Sequence, residues 1–504
     1  MNQAKDIVII GGGLGGLTTG ALLAREGCRV TVLEKNPVIG GGLQCFRRGG
    51  VLFETGMHVL GGFMPGHNLY RICRYLGILD RLDIRPTDPD CMDAVTIGTD
   101  TYRLPRGKEP FTDYLARLFP RQADALRRYM DALWALSEEV DLFYLRPDDG
   151  LGLAKGHSEE FLLPADEFIA RYVDDPRLAE LLAYMNPLYG GVAGHTPAFV
   201  HALINVLYIR GSALFVDGSQ QMADALADVI RRAGGSIHAG DPVQGIDVED
   251  RQATRVRTRS GREYTADWYI SDLHPCTLLD LLPDKAFPKS YRDRLHAIPN
   301  TYSAFSLYIK FREDARRPYV NHPCYWLEEH GRVWQLGDYD EETFPRGFMY
   351  LTPPARDQGP WAARMTVSCP MPFHAVGRWA GSLTGHRPPD YLAWKERTLQ
   401  RVLDKLERAC PGIRDDIECC FASTPLTIRD YYGTKEGALY GYNRDCKDMA
   451  LSQLPVATKV RNLLLTGQNI NLHGICGVPL TAIETAEALV GRGEIVRKIN
   501  ECRN

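Results

Sequence analysis

The chain has 504 residues, which is long enough for two or three domains that each bury a sizeable core. Hydrophobic residues make up 44% and charged residues 24%, as in an ordinary globular protein. The formal net charge of −4 argues against a nucleic-acid partner, which normally requires a basic surface. The cysteines show no C-x-x-C pair or zinc-finger spacing, so we expect reduced thiols, no metal centre and a cytoplasmic location.

The N-terminal segment predicts a dinucleotide-binding unit. Ile7–Ile10 is a short apolar run typical of a strand buried on both faces, and residues 14–26 follow as a helix. Between them, Gly11, Gly13 and Gly16 have the G-x-G-x-x-G spacing. Glycines at this spacing permit a tight turn, the close approach of a pyrophosphate and the packing of the helix against the strand. The helix N-terminus then offers N–H groups to a phosphate.

An acidic residue completes this unit. Arg29–Leu33 is predicted to be the second strand, and Glu34 stands at its end. A carboxylate there accepts hydrogen bonds from both ribose hydroxyls of an adenosine and repels a 2′-phosphate. Residues 7–24 are uncharged over a length that could span a membrane, but their six glycines favour the dinucleotide unit over a spanning helix or a signal peptide. On their own, these features leave NAD and FAD as alternatives.

Two further glycine-containing segments help to decide between NAD and FAD. Residues 37–43, PVIGGGL, follow directly after Glu34, and residues 53–58, FETGMH, come next. This arrangement resembles the FAD-dependent amine-oxidase and phytoene-desaturase superfamily, in which a GG-containing loop and an acidic-x-Gly segment follow the acidic strand end. Because His58 stands two residues after Gly56, the segment is most similar to the retinol saturase and carotenoid isomerase branch. The resemblance implies FAD as the cofactor.

The C-terminal region carries a second resemblance to the same superfamily. Leu463–Leu465 is predicted to be a buried strand, and Pro479–Val490 a helix with its proline in the first turn. The segment between them is similar to the superfamily's C-terminal flavin motif. There the helix N-terminus stabilises the negative charge of a reduced flavin ring. Two FAD motifs at opposite ends of the chain imply that the ends fold together.

The central segments alternate between helical and mixed patterns. Residues 111–140 have a helical repeat of apolar positions that Pro120 is expected to interrupt, and more helices are expected over residues 160–206. Residues 211–250 return to an α/β pattern, with the helix Met222–Ala233 followed by the strand Ser236–Ala239. A second pair of strands, Ala253–Arg259 and Glu263–Ile270, follows as a hairpin.

Residues 291–454 are predicted to form a mixed sheet with helices. Tyr302–Phe311 and Ala363–Cys369 are strand-like runs, and Tyr391–Ala409 is a long amphipathic helix. Residues 431–442 resemble a superfamily passage that lines the substrate pocket.

The predicted fold class is therefore α/β, with two discontinuous domains. Residues 1–65, 211–290 and 455–504 form a Rossmann-type FAD-binding domain. Residues 66–210 and 291–454 form a mixed α+β substrate-binding domain with a helical lid.

The resemblance also implies which residues contact FAD, including Val243 near the adenine. The expected cofactor-binding residues are Gly11, Gly13, Leu14, Gly15, Gly16, Glu34, Lys35, Gly41, Gly42, Leu43, Met57, His58, Val243, Gly467, Gln468, Gly477, Val478 and Thr481.

Three side chains are candidates for a proton donor beside the flavin. Flavin accepts or gives a hydride, so a reaction at an isolated C=C bond needs only one protein group to handle a proton. His58 and His473 lie within the two flavin motifs, and Tyr440 lies in the pocket passage. For His58 the alternative is a hydrogen bond to its own loop, and for Tyr440 it is packing.

The predicted function is an FAD-dependent oxidoreductase that acts on C=C bonds of a polyene or isoprenoid lipid. Saturase-like reduction is favoured over desaturation, and isomerisation stays open, as does the electron donor. The alternatives are an amine oxidase of the same fold and a flavin-binding lipid carrier without catalysis. Because polyenes reside in bilayers, we expect peripheral contact with the inner membrane face. Residues 143–145 and 348–351 are apolar candidates for that contact, with core packing as the alternative.

Overall fold

The computed structural model describes residues 4–147 and 156–502. In chain order, its strands are Asp6–Ile10 (β1), Arg29–Leu33 (β2), Cys45–Arg48 (β3), Val51–Glu54 (β4), Val59–Gly61 (β5), Ile84–Pro86 (β6), Asp93–Ile97 (β7), Asp100–Leu104 (β8), Ser212–Phe215 (β9), Ser236–His238 (β10), Val243–Glu249 (β11), Gln252–Thr258 (β12), Glu263–Tyr264 (β13), Trp268–Ser271 (β14), Ser303–Phe311 (β15), Cys324–Leu327 (β16), Gly347–Leu351 (β17), Arg364–Met371 (β18), Ile417–Ser423 (β19) and Leu463–Leu465 (β20).

The helices alternate with these strands. In chain order they are Leu14–Arg25 (α1), Asn68–Tyr75 (α2), Lys108–Leu118 (α3), Ala123–Glu138 (α4), Ala165–Tyr172 (α5), Pro176–Leu182 (α6), Ala198–Ile209 (α7), Gln220–Arg232 (α8), Pro275–Leu281 (α9), Lys289–Ala297 (α10), Pro389–Ala409 (α11), Ile413–Asp416 (α12), Pro425–Tyr432 (α13), Met449–Ser452 (α14), Gly474–Val490 (α15) and Glu494–Glu501 (α16).

A parallel five-stranded sheet joins the two ends of the chain. Its strand order is β10-β2-β1-β14-β20, and every neighbouring pair is parallel. In β1, Ile9 stands opposite Ile270 of β14, which in turn stands opposite Leu464 of β20. Helix α1 packs against both α8 and α15. Apolar strands buried on both faces are typical of parallel sheets, and this sheet confirms the Rossmann-type architecture.

A second, seven-stranded sheet forms the other half of the molecule. Its order is β19-β15-β18-β17-β16-β7-β8, and it is antiparallel except for the parallel pair of β16 and β7. A separate hydrophobic core lies between this sheet and the long helix α11, with Trp394 of α11 packed edge-on against Phe305 of β15. Residues from both predicted substrate-domain segments therefore share one sheet.

Helices cover the central part of the chain, as the sequence predicts. Helix α3 ends at Leu118 and α4 begins at Ala123, with Pro120 in the break between them. Helices α4, α5 and α7 pack together. The small sheet β5-β9-β6 links this region to the parallel sheet's side of the molecule. It contains strands from both predicted domains, whose boundaries stay predictions.

Two secondary-structure expectations are wrong. The predicted strand Glu263–Ile270 is two strands in different sheets, because the chain turns at Ala266, whose N–H donates to the Tyr269 hydroxyl. The helix of the C-terminal flavin motif, α15, begins at Gly474 rather than at the predicted Pro479, so Pro479 lies in its second turn. The Thr481 hydroxyl accepts from the N–H of Leu472 and holds the chain against this extra turn.

The apolar segments considered for membrane contact belong to the core. Phe143 and Leu145 are buried, as are Phe348, Met349 and Leu351. These side chains therefore provide no exposed apolar patch. Within residues 4–147 and 156–502, no single helix combines the length and apolar character needed to cross a membrane, and the final two helices meet that test only as a pair bent by 117°.

Candidate active site

Two helix N-termini open onto one cavity of about 300 Å³. Helix α1 contributes Leu14 and Gly15 to the lining, and α15 contributes Gly474 and Ile475. Strands β1, β14 and β20 end at the same edge, the carboxyl edge of the parallel sheet, where open α/β folds bind their ligands. Backbone N–H groups and the helix dipoles make both N-termini favourable for negative charge.

The two motifs approach so closely that only glycine fits between them. A Cβ on Gly15 would lie 2.8 Å from Cα of Gly467, and a Cβ on Gly41 would lie 3.1 Å from Cα of Gly13. One side-chain contact joins the same elements, because the hydroxyls of Thr19 and Thr466 are 2.9 Å apart. The result is a cradle lined largely by backbone, in which the side chain lying against Gly13, Gly15 and Gly467 is the carboxyl group of Asp272.

Glu34 is positioned by its own loop. Its Oε2 accepts from the N–H of Gly12 and its Oε1 from the N–H of Asn36, each at 2.8 Å. The carboxylate is buried at the end of β2, beside the glycine turn. This is the place at which an adenosine ribose would meet it if a dinucleotide lies across the sheet edge.

The structure separates the predicted binding residues into two groups. Those that line the cavity are Gly13, Leu14, Gly15, Gly41, Gly42, Leu43, Met57, His58, Tyr440, Gln468, His473 and Val478. Those outside the lining are Gly11, Gly16, Glu34, Lys35, Val243, Gly467, Gly477 and Thr481. Their contact with a cofactor stays a prediction.

Several residues of the second group have evident structural roles. Gly16 packs directly on the carbonyl of Gly11, as the third glycine of the fingerprint does. Lys35 donates to the backbone carbonyl of Asp430 at 2.8 Å, which ties the end of β2 to α13. Val243 pairs with Thr258 in the sheet β11-β12-β13.

Asp272 is a cavity-lining carboxyl that the sequence reasoning missed. It follows directly after β14, and a Cβ on Gly13 would lie 2.7 Å from its Oδ2. Burial raises the pKa of Asp272 to about 7, hydrogen bonds from the N–H groups of Gly16 and Gly13 oppose this, and the charge of Glu34 adds to it. The feature of the sequence that could have identified Asp272 is its position directly after a predicted strand of the parallel sheet, at the carboxyl end where ligands bind.

His58 is held by a buried carboxylate. Its Nδ1 lies 3.2 Å from Oε1 of Glu54, four residues earlier in the chain. Glu54 is buried, whereas His58 lines the cavity. The contact fixes the ring and leaves Nε2 as the nitrogen not engaged with Glu54. His58 therefore lies on the cavity, and its contact with a cofactor and its role as a proton donor stay predictions.

The two other proton-donor candidates are poor acids in this structure. Burial, assisted by the charge of Arg444, lowers the pKa of His473 to about 4, so its ring is neutral near pH 7. Burial raises the pKa of Tyr440 far above its usual range, and its hydroxyl donates to the carbonyl of Pro187 at 2.9 Å. The ring centroids of His473 and Tyr440 are 5.0 Å apart. Among the described residues, Nε2 of His473 has no hydrogen-bond partner.

Tyrosines from distant elements form the opposite wall of the cavity. The hydroxyl of Tyr302 donates to the carbonyl of Pro187 at 3.2 Å, and that of Tyr208 donates to the carbonyl of Val59 at 3.1 Å. With their hydroxyls engaged, these rings present apolar faces. Further residues of this wall that the sequence did not reveal are Leu188, Ile204, Leu207, Met349, Ile428 and Leu439.

The described residues offer no metal site. No group of three or more His, Cys, Asp or Glu side chains within residues 4–147 and 156–502 is arranged to hold a metal ion. The glycine cradle, the two helix N-termini and the adjoining apolar wall instead fit an extended dinucleotide whose ring system reaches the wall.

Comparison with known proteins agrees with this geometry. All-trans-retinol 13,14-reductase of Rattus norvegicus is 25% identical over 97% of this chain and 86% of its own length. Prolycopene isomerase 2, chloroplastic, of an Oncidium hybrid cultivar is 25% identical over 87% of this chain and 75% of its own length.

A solved structure shares the fold at lower sequence identity. The crystal structure of an oxidoreductase from Methanosarcina mazei superposes with a TM-score of 0.66 at 17% identity, covering 96% of this chain and all of that one. The family model described as flavin containing amine oxidoreductase matches residues 14–490, nearly the whole chain. This chain therefore belongs to the flavin containing amine oxidoreductase family, and it is a flavin-dependent oxidoreductase.

Proposed function

We propose that this protein binds FAD and reduces a C=C bond of a polyene or related isoprenoid lipid. One observation carries the proposal: a single cavity joins a phosphate-type cradle to a wall of tyrosine and aliphatic side chains, with His58 among its lining residues. Such a cavity orients a long apolar substrate beside a ring system and excludes water from it.

FAD is favoured over other flavins by the adenosine end of the site. Glu34 at the end of β2 suits a ribose, and the glycine cradle suits a pyrophosphate, neither of which a flavin mononucleotide would use fully. The N-terminus of α15 lies on the same cavity and favours negative charge on a reduced ring. When bound, the flavin supplies or accepts the hydride.

His58 is the residue best placed to supply the proton. Reduction of a C=C bond adds a hydride to one carbon and a proton to the other, and the proton must come from a group in the cavity. His58 is fixed through Nδ1 to Glu54, whereas His473 is neutral and Tyr440 is engaged with a carbonyl. Its Nε2 is left free of Glu54 and is the ring atom that can pass a proton to a substrate in the cavity.

The two relatives named above support a polyene substrate. Their names give a reduction of retinol and an isomerisation of prolycopene, and both substrates are conjugated isoprenoid chains. Isomerisation or desaturation in the same cavity is the second candidate. It would use the same flavin and the same apolar wall, without net reduction of the substrate.

An amine substrate is less well supported. The family description names amines, and tyrosines do occur beside the cavity. An ammonium group is usually matched by a carboxylate or an aromatic cage. Among the described lining residues, however, the only carboxylate belongs to Asp272, at the phosphate end. A lipid carrier that binds flavin without catalysis is the remaining alternative.

We also propose a cytoplasmic protein that meets its substrate at the inner membrane face and takes electrons from an external two-electron donor. The basis is the substrate class alone, because the candidate apolar segments are buried. Flotation with phospholipid vesicles, with and without retinol, tests the contact, and absence of binding in both cases would contradict it.

The function is tested with purified holoprotein. The bound cofactor is released and identified, and the chemically reduced holoprotein is then mixed with retinol, a carotenoid and a panel of amines. The proposal predicts FAD, a polyene product with shifted absorbance and two added hydrogens by mass spectrometry. An unchanged product mass with a shifted spectrum would favour isomerisation. Hydrogen peroxide release from amines, with inert polyenes, would overturn the proposal in favour of an amine oxidase.

A further inference from the structure

The carboxyl group of Asp272 occupies the place where a phosphate is expected. In the glycine cradle, the Cβ positions that Gly13, Gly15 and Gly467 lack all lie against its two oxygens. The N–H groups of Gly13 and Gly16, at the start of α1, lie near enough to this carboxyl group to lower its pKa. The N–H groups that would hold a pyrophosphate therefore already face an acidic side chain of the same protein.

A pyrophosphate and an ionised Asp272 are in conflict at this position. Both are anions and both use the same helix N-terminus, so they repel each other at close range. Glu34 adds a further negative charge nearby. A protonated carboxyl group has no such conflict, since it is neutral and can donate its O–H to a phosphate oxygen.

We propose that Asp272 is a cofactor-binding residue that must be protonated when the FAD pyrophosphate is bound, so that each FAD molecule enters together with one proton. The inference rests on the proposed FAD cofactor. In atoms, the carboxylate takes one proton from solvent and becomes a carboxylic acid, and no redox change is involved.

Asp272 is poised for this exchange. The pKa of Asp272 is about 7 before any ligand adds negative charge, with burial as the largest cause. A bound pyrophosphate raises that pKa further. By linkage, FAD affinity is then constant below about pH 7 and falls by up to about tenfold for each pH unit above it.

Few other groups can produce the same dependence. Glu34 is the charged neighbour from β2, and the segments of β1, α1 and residues 466–469 that face Asp272 contribute glycine, leucine, threonine and amide residues. His274, two residues on, has a pKa lowered to about 4 by burial and stays neutral over the relevant range. A change in FAD affinity near pH 7 is therefore attributed to protonation of Asp272.

The decisive variant is Asp272→Asn, which keeps the shape and places a permanent N–H donor where the acid O–H would be. FAD is titrated into apoprotein from about pH 6 to about pH 9, with affinity read from quenching of flavin fluorescence. We expect wild-type affinity to fall above about pH 7 and the variant's affinity to stay constant, exceeding wild type at the alkaline end by about tenfold or more. Asp267→Asn is the matched control, because Asp267 is exposed just before β14 and accepts from the N–H of Asp6 at the far end of β1.

Two measurements on wild-type protein make the test independent of the variant's folding. Calorimetry at an alkaline pH in buffers of different ionisation enthalpy counts protons, and about one proton taken up per FAD is expected. ADP-ribose, which carries the pyrophosphate without the flavin ring, should show the same pH dependence.

The outcomes separate the two proposals. A pH-independent FAD affinity in wild type, or a slope retained in Asp272→Asn, overturns the role of Asp272 and leaves the FAD cofactor intact. Loss of affinity in Asp272→Asn at every pH would show instead that the ionised carboxylate assists binding. Failure of wild-type apoprotein to bind FAD at any pH overturns both.

Discussion

The two ends of the cavity are built in opposite ways. At the phosphate end, glycines leave so little room that a Cβ on Gly15 would lie 2.8 Å from Cα of Gly467, and the side chain that lies against these glycines is that of Asp272. At the substrate end, the wall contains large side chains from α7 and β17 and from Tyr302 just before β15, which come from distant parts of the chain. One end is shaped by the absence of side chains and the other by their packing.

The same contrast holds for charge. The phosphate end combines two helix N-termini with the acidic Asp272 and Glu34. At the substrate end, the hydroxyls of Tyr208 and Tyr440 are engaged by backbone carbonyls, and His473 is neutral near pH 7. Ionic binding is therefore concentrated at the end that anchors the cofactor, while the reacting end stays apolar, with His58 as its proton-handling residue.

The largest expected effect comes from filling the phosphate end. In Gly15→Ala, the new methyl group would collide with Oδ1 of Asp272 and lie 2.8 Å from Cα of Gly467. Because backbone cannot yield as a flexible side chain does, we expect the two motifs to separate and flavin binding to be lost, with about 1–3 kcal/mol of destabilisation. Flavin content per protein and thermal unfolding measure both effects.

Gly377→Ala serves as the control for this change. A Cβ at Gly377 would meet nothing within 4 Å, so flavin content should match that of the wild type. If Gly15→Ala retained a full complement of flavin, the cradle would not be the phosphate site.

The next largest effect is expected at His58. His58→Gln keeps a hydrogen-bonding partner for Glu54 but removes the imidazole that would transfer the proton. We expect kcat for polyene reduction to fall by about 10²–10⁴-fold with flavin content unchanged. His473→Gln is the matched comparison. A larger loss of kcat in His473→Gln than in His58→Gln would indicate that His473, and not His58, is the proton donor.

The phosphate end could be predicted from sequence because it depends on short segments whose residues are close together in the chain. The glycine spacing, Glu34 and the closing segment around Gly467 each follow from what a backbone turn or a strand end requires, and the structure places them at one sheet edge. Asp272 escaped notice because an aspartate after a strand has no distinguishing pattern until the strand order is known.

The substrate end could not be predicted in the same way. Tyr208 lies in a helix and Tyr302 just before a strand, more than 90 positions apart, and only tertiary packing makes them neighbours of Tyr440. The split of residues 263–270 between two sheets was missed for the same reason, since it depends on β14 pairing with β1.

The pH dependence of stability distinguishes the two ends by its sign. Burial lowers the pKa of His473 and His274 to about 4 from an ordinary 6.5, so the unfolded chain takes up protons first and stability falls as the pH drops from about 6.5 to 4. Asp272 has the opposite sign. Its pKa is raised from 3.8 to about 7, so its contribution is present at low pH and is lost as the pH rises towards 7.

Thermal unfolding of the apoprotein between about pH 4 and about pH 8 tests these signs. In Asp272→Asn, the loss of stability on the alkaline side should shrink while the loss on the acidic side remains. A variant whose profile matches that of the wild type over the whole range would contradict the assigned pKa of Asp272.

The smallest expected effect is at Tyr440, in the wall of the substrate end. Tyr440→Phe removes a hydroxyl from the carbonyl of Pro187, but Tyr302 donates to the same carbonyl at 3.2 Å, so the carbonyl keeps a partner. We expect a destabilisation of about 0.5–1.5 kcal/mol and nearly unchanged kcat. Tyr302→Phe alone should behave alike, whereas the double variant leaves the carbonyl without either hydroxyl and should cost more than the sum of the two. If the destabilisation of the double variant equals the sum of the two single destabilisations, water replaces the lost hydroxyls as the hydrogen-bond partner of the Pro187 carbonyl. A large loss of kcat in Tyr440→Phe would instead indicate that Tyr440 is the proton donor. The substrate end would then contain an acid other than His58, and the contrast in charge between the two ends of the cavity would not hold.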